Sequence, residues 1–500
     1  LEGIALVGLL AIGLATVLEP FVGLGAALLL GPLKAYLSIE VPSIPAQIGH
    51  AFVALALASW LLRGLSRRGL RIEHSPLLLP LLGFLGVAGL SLWDAVGLAS
   101  QGLPELIKWV EIVLLFIFVQ DHLSSQATLV PSLVSPATHR VPRKAEVRGG
   151  PGRLPWLLIA LLVGGLFQAA VGIWQFGLRG DGPSHFAILG GDFFRAYGTF
   201  EQPNPYAGYV GVTAALALGV AIEATRSKAA AWYASMRGYG NARQRSADPR
   251  LYGPTSLPVY VFSCCAAGAM LFSLGASWSR GAWIGFAAAV LAIVAALPRR
   301  RGWGFLLIGA LVIGGLALLA SGRLPAAVAA RLTSFVQELR FEDVRGMPIN
   351  DANYAVVERL AHWQAGLAML RHDLWTGIGF GCYEAAYPRF ALINWPIALG
   401  HAHNYYLNLA AETGLMGLVG YLVLWGTALW QTWRITRRAS GLARGLSLGL
   451  LGAWTHLSVH HLLDNLYVNN VHLHVGVMLG LLGFLGQQAD RVGSTYDCEA

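Results

Sequence analysis

The chain is a succession of long apolar runs broken by short polar loops. The runs fall at 3–18, 21–37, 46–62, 76–92, 105–122, 155–176, 204–223, 257–275, 282–297, 303–320, 405–432, 446–463 and 471–487. Most approach the roughly 20 residues a helix needs to cross about 30 Å of hydrocarbon. They are continuous rather than alternating, which argues for helices over strands, because strands survive in lipid only in closed barrels. The first two runs are separated only by Glu19-Pro20, so they form either a tight hairpin or a pair of which one does not span. The pattern predicts an all-α polytopic bundle of about 12–13 spans. One segment breaks the rhythm. Residues 321–404 are of mixed polarity, and Val356, Val357, Leu360, Trp363, Leu367 and Leu370 recur near i, i+3/4, i+7. This predicts an amphipathic helix over 353–371, lying on the membrane domain.

Composition agrees with this class. Of 500 residues, 55% are hydrophobic and 12% charged, against roughly 25% charged in a soluble domain. A water-soluble enzyme, a disordered chain and a collagen-like fibre are excluded, and four cysteines exclude a disulfide scaffold. No basic stretch precedes the first apolar run, so no cleavable signal peptide is expected. The net charge of +9 is an orientation signal. Twenty-two of the 35 Lys and Arg fall in alternate loops, around 63–71, 140–153, 226–250, 299–301 and 434–444, which the positive-inside rule assigns to the cytoplasm. Loops 38–45, 93–104, 178–203, 276–281, 321–404 and 464–470 then face outward. No groove-reading module accompanies the basic residues, so nucleic acid is not expected as a partner. The expected layout is N-terminal helices and a cytoplasmic loop (1–154), central helices with Arg-bearing outer loops (155–320), the long outer loop (321–404), C-terminal helices (405–490) and a cytoplasmic tail (491–500). Loops 123–154 and 224–256, rich in Ser, Pro, Gly and Arg, read as linkers.

The few polar groups on the outer side are the candidates for chemistry. Arg280 lies in Ser277-Trp-Ser279-Arg280-Gly281, a turn between two apolar runs. Snorkelling would explain it; so would an anion site, because guanidinium is a permanently charged planar fork suited to phosphate. Arg195, in the loop before Asn204, supports the second reading. Together the two could hold a pyrophosphate at the lipid boundary. His401 and His403 open a long helix near Asn404, and a neutral histidine can serve as a base. A zinc pair is weak there, with no third and fourth ligand close in sequence. Glu412, deeper in the same helix, needs a partner. His456, His460 and Asp464 share a face at i, i+4, i+8, followed by His472 and His474. They read as a metal set, as interfacial hydrogen-bonders, or as supports orienting His403. Gly377, Gly379 and Gly381 lack dinucleotide-fingerprint spacing and read as a turn.

Taken in order, S-W-S-R-G-A-W (277–283), a long outer loop with an Arg359–Trp363 helix, T-G-I-G-F-G (376–381) and H-A-H-N-Y-Y-L-N-L-A-A-E-T-G (401–414) resemble the O-antigen ligase/polymerase superfamily. The resemblance covers roughly 155–490, and the first 150 residues match only in hydropathy. It implies a GT-C-like integral-membrane glycosyltransferase of the bacterial inner membrane with an outward-facing site. Its members move a glycan from undecaprenyl diphosphate to a lipid, glycan or protein hydroxyl, inverting the anomeric centre without metal or other cofactor. It further implies that Arg195 and Arg280 bind the donor diphosphate and that His403 is the general base. Arg359, Arg389, His401, Asn404, Glu412 and Asp464 are accessory candidates. A protein O-oligosaccharyltransferase or a multi-pass transporter, a label some relatives carry, are the alternatives. Against transport stand the lack of an inverted repeat and the clustering of polar groups at one face.

Overall fold

The computed structural model describes residues 2–42, 44–66, 69, 72–127, 152–236, 257–333, 343–350 and 353–497. Much of linkers 123–154 and 224–256, with Arg140, Arg143, Arg243 and Arg250, therefore lies outside the described residues.

Every apolar run became a helix. In chain order these are α1 (Glu2–Leu18), α2 (Pro20–Leu30), α3 (Lys34–Glu40), α4 (Ile48–Ser66), α5 (Leu78–Leu90), α6 (Leu103–Ala127), α7 (Arg153–Ile173), α8 (Pro203–Met236), α9 (Leu257–Ala276), α10 (Arg280–Ala296) and α11 (Arg301–Ala320). The long segment contributes α12 (Ala326–Thr333), α13 (Tyr354–His372) and α14 (Tyr383–Ala386). The chain closes with α15 (Tyr405–Arg438), α16 (Gly441–His460) and α17 (Val471–Asp497). Among the described residues, seven helices are long and apolar enough to cross a membrane, and three further apolar helices are shorter. The protein is an all-α polytopic membrane protein. Among the described residues, the one departure into strand is a short hairpin of two two-residue strands, Ala187–Ile188 with Phe193–Phe194, in the loop before α8.

Helix α8 lies at the centre, packed on α9 and α16, and α16 packs in turn on α10 and α15. Gly219 of α8 meets Gly445 and Gly449 of α16 so closely that a Cβ would strike backbone, the small-residue contact by which helices associate without a hydrophobic driving force in lipid. By contrast α11 exposes Phe305, Leu306, Ile313 and Leu316, a surface suited to acyl chains. Described members of the basic loops gather at one end of the bundle. There Arg226 and Arg444 both donate to Leu297 O at 2.7 Å, and Arg437 donates to the carbonyls of Pro298 and Arg299.

At the opposite end the described residues of the long segment build small cores of their own, one of them from Val344, Val357, Leu360, Ala361, Trp363 and Trp395. The amphipathic helix formed as expected in α13, but its buried surface is wider than the stripe. Ala361, His362, Ala365 and Met369 are buried too, while Leu367 is left exposed. The reason is that α13 packs against α15 on one side and beneath the loop segments on another.

The glycine run 377–381 is a turn, and its conformation has a cause. Helix α15 is interrupted at Gly414 (φ 63°, ψ −168°), and the stretch 374–379 docks into the break. Ile378 N donates to Ala411 O at 3.0 Å, Gly379 N to Glu412 O at 2.9 Å and Leu415 N to Leu374 O at 2.8 Å. Gly377 (φ 70°) faces the Glu412 backbone, and a Cβ on Gly414 would overlap the Trp375 carbonyl. Both glycines are therefore required. Gly414→Ala is expected to cost about 3 kcal/mol or more, from a backbone region open essentially only to glycine plus the clash. Thermal unfolding of the detergent-purified protein, followed by tryptophan fluorescence, checks this as a clear drop in Tm.

Candidate active site

Four chain segments converge at the end of the bundle that carries the long loop. Ser279 is the N-cap of α10, with extended backbone (φ −89°, ψ 110°), and Arg280 is the helix's first residue. The turn before it is tight: Trp278 adopts φ 54°, Ser277 Oγ donates to Leu274 O at 2.6 Å, and Ser279 N donates to Ser277 Oγ at 3.2 Å. Arg195 reaches this turn from the loop before α8. Its Nε donates to Ser277 O at 3.0 Å and its Nη2 to Asn204 Oδ1 at 3.3 Å, an oxygen that also accepts from Ser279 Oγ at 2.9 Å. Arg331, on α12, closes the third side and donates to Trp278 O at 2.9 Å through Nη2. Arg359, on the first turns of α13, covers the fourth.

These four arginines, with Asn204, Ser279, Gly281, His460 and Leu463, line a cavity of about 210 Å³. Burial, and after it the positive charges of Arg331, Arg280 and Arg359, push the Arg195 pKa down to about 9. It remains charged at neutral pH, and an anion in the cavity would relieve the crowding.

Behind the cavity sits a histidine group. His403 has a left-handed backbone (φ 53°), uncommon for a residue with a side chain. Its N–H donates to His401 Nδ1 at 3.0 Å, so His401 carries its proton on Nε2, which faces Asp464 Oδ1 at 3.5 Å. The His403 ring stands edge-on to His401 (4.7 Å between centroids) and to His362 (5.7 Å). His403 Nε2 is buried and has no hydrogen-bond partner among the described residues. Burial first, and then His401, Arg359 and His362, push its pKa down to about 2, so the imidazole is neutral across the physiological range. His362 is likewise held down to about 4, mainly by burial. Arg359 is the residue common to both halves, lining the cavity and acting on His403.

The other candidates are placed as follows. Asn404 is the N-cap of α15, accepting from Leu407 N at 3.0 Å. Glu412 is buried and accepts from Tyr383 N at 3.1 Å; it ties the docked loop to the broken helix and does not line the cavity. Arg389 is exposed on the turn after α14, away from the cavity lining. The face proposed for His456, His460 and Asp464 does not persist, because α16 ends at His460 and the chain turns, leaving Asp464 against His401. It is His401, His403 and Asp464 whose ligand atoms lie within 4.8 Å of one another. Arg331 and His362 were not singled out from the sequence. Arg331 is the one cation in the short apolar helix 326–333, and His362 follows Arg359 by three residues, on the same helical face.

Residues 265–422 match the family model described as O-antigen ligase. This stretch is similar to O-antigen ligases. The matched stretch runs from α9 to the first half of α15, and so contains the Arg280 turn, Arg331, Arg359, His403 and the break at Gly414; Arg195 precedes it. The match supports, over that stretch, a membrane glycan ligase and polymerase family of glycosyltransferase-like proteins. A search of curated proteins gives no match.

Proposed function

We propose that the protein transfers a glycan from a polyprenyl diphosphate, such as undecaprenyl diphosphate, to an acceptor hydroxyl at the outer face of a bacterial inner membrane. The observation that carries this reading is the pairing of two unlike cavities. The four-arginine cavity adjoins an open apolar groove of about 640 Å³ lined by Phe176, Phe272, Trp278, Trp283, Phe286 and Leu332, among others. Helix α12 divides them, turning Arg331 to one and Val328 and Leu332 to the other. A ligand suited to both has a multiply charged head and a long apolar tail. Phosphate oxygens would bind the guanidinium forks, and the tail would lie in the groove against lipid.

The chemistry follows. As the glycosidic C–O bond breaks, negative charge grows on the departing diphosphate, and fixed guanidiniums stabilise it without reorganising. The incoming hydroxyl gives its proton to a base as it attacks from the opposite side, which inverts the anomeric centre. His403 suits that role: it is neutral, its Nε2 is unengaged, and it sits behind Arg359. Asp464 and His401 act through it, holding its backbone and ring. A bound diphosphate offsets the Arg359 charge and raises the basicity of His403 when the donor is present. The basic opposite end would face the cytoplasm.

The reading is tested with the purified protein in liposomes, supplied with a polyprenyl-diphosphate-linked glycan and a glycan acceptor. Transfer with release of one polyprenyl diphosphate per linkage, of inverted configuration by NMR, is expected; absence of transfer with every hydroxyl acceptor tried would overturn it. In the same assay Arg331→Ala is expected to raise KM for the donor by about tenfold or more, the loss of one charge-assisted contact.

A further inference from the structure

A second group of titratable side chains, sharing no residue with the arginine cavity, lies where α4, α6 and α17 meet. His50 is on the first turn of α4, Glu111 is inside α6, and His472 is the second residue of α17. His50 Nδ1 stands 2.9 and 3.0 Å from Glu111 Oε1 and Oε2, and His472 Nε2 stands 2.9 Å from Oε2. The two rings are stacked, 5.4 Å between centroids and 26° between planes, so both present an edge nitrogen to one carboxylate.

Donor and acceptor accounting shows what this group lacks. The other nitrogen of His50, Nε2, is 2.7 Å from Asn470 Oδ1. That amide cannot be turned round, because its Nδ2 donates to Gly31 O at 3.2 Å. His50 Nε2 must therefore carry a proton. A neutral His50 then points the Nδ1 lone pair at a carboxylate, acceptor against acceptor, and a positive charge has to sit between them. A second proton on His50 would serve that pair alone. All three ligand atoms converge, however, lying within 4.8 Å of one another. A tetrahedral ion with bonds of about 2.0–2.1 Å holds its ligand atoms about 3.3 Å apart, a few tenths of an ångström from the nitrogen–oxygen separations of 2.9 and 3.0 Å found here.

We propose that His50, Glu111 and His472 form a binding site for a divalent cation of the zinc class. Two imidazoles and one carboxylate are a donor set that zinc takes, with a fourth position left for water. Asn470 is the outer partner that fixes the ligating tautomer of His50. His472 is 1% exposed, whereas His50 (24%) and Glu111 (13%) leave an entry path. The ion clips α4 to α6 and α17. Through Asn470 it also anchors the loop from Asp464 to Val471, in which Asn469 and Asn470 are both held at positive φ (48° and 62°). The ion thus braces Asp464, the partner of His401, from a distance and takes no part in the proposed transfer.

The test is metal loading of the full chain in detergent, stripped with chelator, re-equilibrated with zinc and analysed by mass spectrometry after desalting. The proposal expects about one zinc per chain, retained by His403→Ala and reduced at least tenfold by Glu111→Gln and by His472→Gln. Should those variants fail to fold, cobalt(II) titration of the wild type and of His403→Ala gives the answer. Visible bands saturating at one equivalent in both, and displaced by zinc, support the site. No bound metal in the wild type, full loading of both triad variants, or loss of loading in His403→Ala would overturn it; the last result would assign the ion to His401, His403 and Asp464.

Discussion

Arg280→Ala is expected to lower kcat/KM for glycan transfer by roughly a hundred- to a thousandfold, the usual cost of removing one preorganised group that stabilises developing charge. The cause is positional. Arg280 is the first residue of α10, so its guanidinium and the positive end of the helix dipole act at the same place. Arg195 contacts the same turn, donating to Ser277 O, and both line the cavity with Arg331 and Arg359. Arg280→Lys is expected to recover little, because an ammonium gives a point charge in place of a planar fork. Steady-state kinetics with a lipid-linked donor reads both results, and a loss confined to KM would mean the group binds ground and transition state alike.

His403→Ala is expected to cost roughly a hundred- to ten-thousandfold in kcat, the range for loss of a general base, with little change in donor KM. His403→Gln should fare no better, since it keeps the shape and loses the basic nitrogen. The pH profile separates this role from a structural one. A histidine near its ordinary value would lose activity as pH falls through about 6.5. Here the folded-state value is pushed down to about 2, so protonation disables the base only far below that. The wild type is accordingly expected to show no acid limb from His403 between pH 5 and 8. A donor-bound limb should lie higher than the donor-free one, because the diphosphate offsets Arg359.

Much of this was legible in the chain, and the exceptions have physical causes. Thirteen apolar runs became helices because, in lipid, a continuous apolar stretch has few other ways to satisfy its backbone. The convergence of Arg195 and Arg280 was foreseeable from two cations in sparse outer loops. Arg331 was hidden because it is one of seven arginines in the mixed-polarity segment 321–404 and no periodic partner marks it out; only the fold of α12 over the Trp278 turn brings it in. Glu412 and Asn404 looked chemical and are engaged in structure, one pinning a docked loop and the other capping a helix. The face drawn through His456, His460 and Asp464 assumed an unbroken helix, and α16 ends at His460. The grouping of His50, Glu111 and His472 joins residues 61 and 361 positions apart, beyond the reach of local spacing.

The central claim is that the four-arginine cavity holds the diphosphate of a lipid-linked donor. Equilibrium binding of undecaprenyl diphosphate and undecaprenyl monophosphate to the protein in nanodiscs tests it without requiring turnover. The account predicts that the diphosphate binds at least tenfold more tightly than the monophosphate, and that Arg195→Ala with Arg280→Ala removes the preference while His403→Ala leaves it intact. Equal affinity for the two lipids, or a preference that survives loss of both arginines, would contradict it.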